Sequence, residues 1–218
     1  MMYDSIAIIF AIVVTYRNLI LKPRAYIDGY DDPANYDQNQ YLQGDLIDIV
    51  LRGNVLGVYE PVSLLFRRFV SNFISLSASN VLIISLCLHI VNALLIRGYA
   101  ENVVRIYRPD ASKRNVRLCS GFAVLLFAVH PLRTEVVAWA SCQPYLLATL
   151  FSILFIHTYP SNFSVVLFLL AVLCKAVSIS VPIVLVLLDV RNCSSRVFVS
   201  LTLKLHSKLY TTHRFTRI

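Results

Sequence analysis

ASNVLIISLCLHIVNALLI, residues Ala78–Ile96, is a run of 19 residues without a formal charge. A helix of about 20 predominantly apolar residues is long enough to cross the hydrocarbon core of a bilayer. The rest of the chain has the same character: 57% of its 218 residues are hydrophobic and 15% are charged, whereas soluble domains carry about a quarter charged residues. The sequence therefore predicts an integral membrane protein and argues against a soluble globular domain.

Four further apolar runs extend this pattern along the chain. They are Ser5–Leu21, Val116–Val129, Tyr145–Tyr159 and Phe163–Leu188. The first run is preceded by Asp4 and by no Lys or Arg, and no small-residue cleavage site follows it, so we expect an uncleaved span and not a signal peptide. The predicted fold is an all-α integral membrane bundle with several spans. It occupies residues 1–190, including a polar loop at residues 22–77, and a basic tail follows at residues 191–218.

The charges predict how these spans are oriented. The connection Arg97–Arg117 contains six basic residues against Glu101 and Asp110, so it should face the cytoplasm. The loop at residues 22–77 holds most of the acidic residues and should then face the opposite side. We also expect the last run to turn back near Lys175, because a single span would carry the basic tail away from the cytoplasm.

Net charge and cysteine content exclude some classes of site. The net charge is +8, but the basic residues flank apolar runs and do not form a stripe between aromatic residues, so we expect no nucleic acid partner. The five cysteines include no CxxC pair, which argues against a disulfide framework or a zinc site. No metal and no cofactor is predicted.

Adjacent carboxylates in the acidic loop are the first candidates for catalysis. Asp31 and Asp32 follow Gly29-Tyr30 and precede Pro33. A carboxylate there could act as a general base and accept a proton from a hydroxyl nucleophile. From the spacing alone, a solvated turn is the favoured interpretation, because Asp, Gly and Pro are common turn formers.

Ionisable residues between the apolar runs are the second set of candidates. His130, Arg133 and Glu135 lie between two runs, and Lys175 lies within the last one. Charged groups at membrane depth cost about 2.5–3.5 kcal/mol each on insertion scales, so they often mark a site. Arg133 could bind a phosphate through its guanidinium fork. Alternatively, Glu135 pairs with Arg133 in a structural contact, and His130 only marks the end of a helix.

A pair of polar residues on the second span has a structural interpretation. His89 and Asn92 are three residues apart and therefore share one face of the helix. We expect them to join neighbouring helices by hydrogen bonds and not to bind a metal.

Four blocks of sequence resemble a known membrane enzyme family. FAVHPLRTEVVAW (Phe127–Trp139) is similar to the block FAxHPxHxExVAW of the transmembrane and tetratricopeptide repeat-containing O-mannosyltransferases and their bacterial relatives. Three other blocks fall in the family's order: GYDDP with NQYLQG (Gly29–Pro33 and Asn39–Gly44), YEPVSLL (Tyr59–Leu65) followed by His89 and Asn92, and LCKA (Leu173–Ala176) with Pro182 to Asp189.

The resemblance implies a function. It implies a class C glycosyltransferase fold in the endoplasmic reticulum membrane, with its active site on the lumenal face. Mannose would pass from dolichyl phosphate mannose, a lipid-linked donor, to a Ser or Thr hydroxyl of a secretory-pathway protein. The expected base in the first lumenal loop maps onto Asp31 or Asp32. Arg133, His130 and Lys175, with Glu135 beside them, are the expected residues at the lipid phosphate.

The chain also departs from the family's pattern, which leaves other functions open. SCQPY (Ser141–Tyr145) stands where the family has ERKD or GRAD, and Arg133 stands where it often has histidine. The family continues into further spans and repeats, so we expect a truncated version of the bundle. The alternative to the enzyme is a catalytically inactive membrane scaffold that interacts with other proteins. A small transporter using Lys175 and His89 has less support, because no inverted repeat is visible.

Overall fold

The computed structural model describes residues 2–22 and 24–187, and it is mostly helical. The chain divides into two compact units, Met1–Ser178 and Ile179–Ile218. The α-helices of the first unit are α1 (Met2–Thr15), α2 (Arg17–Leu21), α3 (Asp32–Asn35), α4 (Leu46–Arg52), α5 (Pro61–Ser71), α6 (Ala78–Tyr107), α7 (Lys113–Val129), α8 (Arg133–Ala138), α9 (Gln143–Thr158) and α10 (Asn162–Cys174). In the second unit, residues 181–187 are helical. The predicted basic tail lies outside the described residues.

Two helical stretches have the length and composition needed to cross a membrane. They are α6, with 30 residues and a mean hydropathy of 2.1 in its most apolar window, and Ala140–Thr158, with 19 residues and a value of 1.3. At 1.5 Å per residue, α6 is about 45 Å long and exceeds the roughly 30 Å of the hydrocarbon core. The other apolar helices among the described residues, which include α1 and α10, are shorter.

The core of the first unit forms around α6, which packs against α1, α7 and α9. Its polar face supplies the two hydrogen bonds that the sequence predicted. The Nε2 atom of His89 lies 2.9 Å from the carbonyl oxygen of Ala128, and the Asn92 side chain donates to the carbonyl oxygen of Leu146 at 2.9 Å. The prediction that this pair joins neighbouring helices is therefore confirmed.

The second span is longer than the sequence predicted. Arg97 was expected to begin a basic connection, but α6 continues through it to Tyr107, so only Arg108–Ser112 connect α6 to α7. The reason is that Arg97 is buried and its charge is compensated: the guanidinium forms ion pairs with Asp4 at 3.1 Å and with Glu101 at 3.2 Å. A paired charge does not oblige the helix to end.

The acidic loop also contains more regular structure than predicted. Residues 26–44 belong to the predicted polar loop, yet they include α3 and a 3₁₀ turn at Gln40–Leu42. A two-stranded antiparallel hairpin, β1 (Asn54–Val55) and β2 (Val58–Tyr59), follows. The fold is mostly helical, as predicted, and this short hairpin is an addition that the sequence did not predict. The hairpin turn places Leu56 and Gly57 at positive φ, and glycine adopts that conformation without a steric penalty.

The last apolar run is interrupted where the sequence predicted. Helix α10 ends at Cys174, Lys175 is extended, and a 3₁₀ segment follows at Ala176–Ser180. Because Lys175 leaves the helix, its ammonium group can reach a partner on another element. The helix is therefore interrupted at Lys175. The turn back of the chain at this point stays a prediction.

The ion pairs of Arg97 give a test of the fold. We expect Arg97→Gln to lower the free energy of unfolding by about 2–3 kcal/mol, because charge-assisted hydrogen bonds between α1 and α6 are lost. Arg117→Gln is the matched control: Arg117 is 45% exposed and 3.9 Å from Asp4, whereas Arg97 is 4% exposed. Thermal unfolding in detergent, followed by circular dichroism, measures both. Equal stability of the two variants would contradict this account.

Candidate functional site

The acidic loop is held to the rest of the unit by the carboxylate of Asp32. Asp32 is buried in the first turn of α3, with Pro33 next to it in the helix. Its Oδ2 atom accepts a hydrogen bond from the backbone N–H of Ile27 at 3.1 Å. Its Oδ1 atom accepts from the backbone N–H of Ser141 at 3.0 Å and also from the Ser141 hydroxyl. This carboxylate therefore has a structural role in joining the loop to the segment before α9.

Two tyrosines reinforce this junction. The rings of Tyr26 and Tyr36 are stacked, with their centroids 4.9 Å apart. The Tyr36 hydroxyl donates to the carbonyl oxygen of Ala140 at 2.8 Å, and the Tyr26 hydroxyl donates to that of Leu76. Burial raises the pKa of Tyr36 above its usual value, so the phenol stays protonated and remains a donor. The segment is a packed part of the fold, and the interpretation as a solvated turn does not apply to Asp32.

A polar cavity of about 70 Å³ lies beside this junction. The residues that line it come from α3, the β1–β2 hairpin, α5 and the breaks before α9 and after α10. Its polar side is formed by Asp31, Asn35, Glu60, Arg67, Ser141 and Lys175. Unlike its neighbour Asp32, Asp31 is exposed. We call this space the acidic-loop cavity.

Lys175 reaches the acidic-loop cavity from the break after α10. Its ammonium group forms an ion pair with the carboxylate of Glu60, and both side chains are largely buried. The Nζ atom also lies 4.9 Å from the centroid of the Tyr145 ring. A charge within an apolar run is costly unless it is paired, and Glu60 is the partner of Lys175.

Arg67 also lines this cavity, and its sequence context did not single it out as a site residue. The guanidinium is 2% exposed. Its Nη1 donates to Asn35 Oδ1 at 2.8 Å, and its Cζ lies 4.7 Å from the centroid of the Tyr36 ring. Arg67 and Arg68 are adjacent in the sequence, but of the two only Arg67 is buried. The signal that could have separated them is the spacing of three between Leu64 and Arg67, because both are buried on one face of α5.

The other predicted site residues lie in a different place. His130 and Arg133 line an open depression together with Leu126, Phe127 and Leu132. Arg133 stacks on Phe127, with 4.4 Å from Cζ to the ring centroid. The sequence predicted that these cations join the aspartates, but the structure brings only Asp31 and Lys175 together in one cavity.

His130 and Glu135 also had structural interpretations, with different outcomes. Helix α7 ends at Val129, and His130 is extended, with its Nδ1 accepting from the backbone N–H of Leu132 at 3.2 Å. His130 therefore does mark a helix end. Glu135 is exposed and forms no ion pair with Arg133 in the described part of the chain. The predicted structural pair is not formed.

Within residues 2–22 and 24–187, no group of three or more His, Cys, Asp or Glu side chains is arranged to hold a metal ion. Comparison of the chain with protein-family models, with curated proteins and with solved structures finds no match. The resemblance seen in the four motifs therefore remains a prediction.

The different environments of the two aspartates give a second test. Asp32→Asn should lower the free energy of unfolding by about 1.5–3 kcal/mol, because an amide nitrogen cannot accept the hydrogen bond from Ile27 or Ser141. Asp31→Asn should change it by less than about 0.5 kcal/mol, as is usual for an exposed position. Thermal unfolding of both variants in the same detergent measures the difference. A larger loss in Asp31→Asn would reverse the assignment.

Proposed function

We propose that the chain is a membrane glycosyltransferase that moves mannose from dolichyl phosphate mannose to a Ser or Thr hydroxyl of a secretory-pathway protein. The family motifs suggest the donor and the acceptor. The observation that carries the proposal is that an exposed carboxylate, Asp31, and a largely buried cation, Lys175, line the same cavity. Transfer from a sugar phosphate needs both: a base for the incoming hydroxyl and positive charge for the departing phosphate.

The reaction assigned to this site is a single displacement. The Asp31 carboxylate takes the proton of the acceptor hydroxyl while the hydroxyl oxygen forms a bond to the anomeric carbon of mannose. The bond between that carbon and the phosphate oxygen breaks, and the electron pair leaves with the phosphate. The configuration at the anomeric carbon is inverted. Asp32 is a positioning residue in this scheme, because its hydrogen bonds to Ser141 and Ile27 fix the turn that carries Asp31.

We further propose that the chain crosses the endoplasmic reticulum membrane several times, with the acidic-loop cavity at the lumenal side. Support comes from large apolar side chains that are exposed on the shorter helices, where water would be an unfavourable neighbour. They include Phe10 on α1, Phe122 and Leu126 on α7, and Phe163 and Leu169 on α10. Lipid is the environment in which such surfaces are stable.

The alternative function, an inactive scaffold, is favoured by a separate observation. Lys175 is already neutralised by Glu60, so its charge is not free for a phosphate in this conformation. The segment SCQPY (Ser141–Tyr145) also lacks the charges that the resembled family has there. Transfer of labelled mannose by the wild-type chain separates the two functions.

The base assignment predicts a loss of activity without a loss of fold. In microsomes supplied with labelled dolichyl phosphate mannose, Asp31→Asn should reduce transfer to protein by about 100- to 10,000-fold, the usual contribution of a general base. Asp37→Asn is the matched control, since Asp37 is an exposed acid of the same loop outside the cavity lining. Normal transfer by Asp31→Asn would remove it as the base. A wild-type chain without any transfer would favour the scaffold.

The orientation predicts which loops receive N-linked glycans. The native acceptor sequences at Asn162 and Asn192 are first removed by substitution with Gln. An acceptor sequence inserted at the Leu56-Gly57 turn should then be glycosylated, because the open tip of the hairpin would face the lumen. The same insertion in the Arg108–Ser112 connection should stay unmodified. Endoglycosidase-sensitive gel shifts report both, and the opposite pattern would invert the proposed topology.

A further inference from the structure

Arg67 is a buried cation whose hydrogen bonding is incomplete. No hydrogen-bond partner is present for its Nε and Nη2 atoms in the described part of the chain, and no carboxylate there forms an ion pair with it. Burial of a charge is unfavourable unless the charge is paired and hydrogen-bonded. An unsatisfied buried group in a protein therefore needs an explanation, and an absent ligand is one.

The Arg67 side chain borders a space that could hold a ligand. Arg67 and Lys175 both line the acidic-loop cavity, whose volume of about 70 Å³ is several times the roughly 10–15 Å³ that holds one water molecule. The free N–H groups of an arginine fork match the spacing of two oxygens on a phosphate or carboxylate. Lysine adds a point charge to such a site. The cavity thus combines room, donors and positive charge.

Glu60 supplies an internal anion to the same cavity. Its carboxylate pairs with Lys175, and this pair is the one ion pair among the residues that line the cavity in the described chain. A carboxylate that occupies Lys175 but leaves Arg67 unsatisfied does not complete the site. It does show that the position beside the ammonium group accommodates an anionic oxygen.

We propose that Arg67 and Lys175 form an anion site for the phosphate group of a ligand, and that Glu60 leaves Lys175 when the phosphate binds. The ligand class is a phosphate monoester or diester. The inference rests on the proposed function only for the lipid that carries the phosphate. It moves the phosphate site from Arg133 and His130, which line the other depression, to the cavity that contains Asp31.

The contacts of Asn35 explain how this anion site is aligned with the base. Its Oδ1 accepts from Arg67, while its Nδ2 donates to the carbonyl oxygen of Asp31 at 2.9 Å and to the Ser141 hydroxyl at 3.2 Å. One amide therefore connects the guanidinium, the backbone of the proposed base and the Asp32 junction. A phosphate held by Arg67 would lie in the same small cavity as the Asp31 carboxylate.

The test measures binding and not transfer. The full chain in lipid nanodiscs is titrated with a long-chain polyprenyl phosphate, with the corresponding polyprenol that lacks the phosphate, and with inorganic phosphate as a competitor. Bound lipid is quantified by native mass spectrometry. We expect polyprenyl phosphate to bind and polyprenol to bind at least ten times more weakly. Equal binding of the two lipids would overturn the anion site.

The variants locate the site on the protein. Arg67→Gln should weaken binding of polyprenyl phosphate by about 10- to 100-fold, as expected for charge-assisted hydrogen bonds. Arg68→Gln is the matched control on the same helix, because Arg68 does not line the cavity. Arg133→Gln should also leave binding within twofold. Loss of binding in Arg133→Gln with full binding in Arg67→Gln would return the phosphate to the depression beside His130.

Two further variants test the exchange and guard against misfolding. Glu60→Gln should tighten binding, because the competing internal anion is removed, and weaker binding would overturn the exchange. Arg67→Lys keeps the charge but not the fork, so it should bind with intermediate affinity. If Arg67→Gln does not fold, Arg67→Lys decides: binding equal to the wild type overturns the site. If inorganic phosphate competes with polyprenyl phosphate for the wild-type chain but not for the Arg67 variants, that result supports the site, with free phosphate as a ligand.

The binding and transfer measurements test different proposals, so one proposal can be contradicted without the other. Binding that depends on Arg67 in a chain without transfer would support the anion site and count against the glycosyltransferase. Transfer with a wild-type affinity in Arg67→Gln would support the enzyme and overturn the anion site.

Discussion

The carboxylate of Asp32 joins two segments that are 109 residues apart in the sequence, and the candidate site depends on that junction. By accepting hydrogen bonds from Ser141 and Ile27, it closes the acidic loop over the segment before α9. A buried carboxylate is stable only when its oxygens are well satisfied, so the interaction allows little freedom of position. Asp31 and Asn35 are on the same short helical turn and are placed by the same interaction.

Buried cations in this apolar chain are paired with carboxylates in two places. Arg97 is paired with Asp4 and Glu101, and Lys175 is paired with Glu60. The pair of Arg97 with Asp4 joins α6 to α1, and the pair of Lys175 with Glu60 joins the end of α10 to the start of α5. Arg67 differs, because among the described residues its guanidinium contacts an amide oxygen and an aromatic ring and forms no ion pair with a carboxylate. That difference is the basis on which we propose it as an anion-binding residue.

How far the site could be predicted depends on the range of the interactions. The helical character of Ala78–Ile96 was predicted because it depends on nearby residues, and an interruption at Lys175 was expected from the charge of the tail that follows the last run. The extension of α6 past Arg97 was missed, since its cause is Asp4 on another helix. Arg67 was missed for a similar reason. Its partner Asn35 is 32 residues away, and the one local sign of its burial is its spacing of three from Leu64 on the buried face of α5.

The sequence by itself determined that the chain is apolar, mostly helical and able to place at least one long helix in a membrane, because these properties follow from composition and local spacing. It also selected Asp31, Asp32 and Lys175 as residues of interest. Only the tertiary structure decided that Asp32 joins segments while Asp31 remains open, that Lys175 meets Glu60 from 115 residues away, and that His130 and Arg133 lie elsewhere. The physical reason is that the role of a charged group is set by the partners around it, and those partners come from distant parts of the chain.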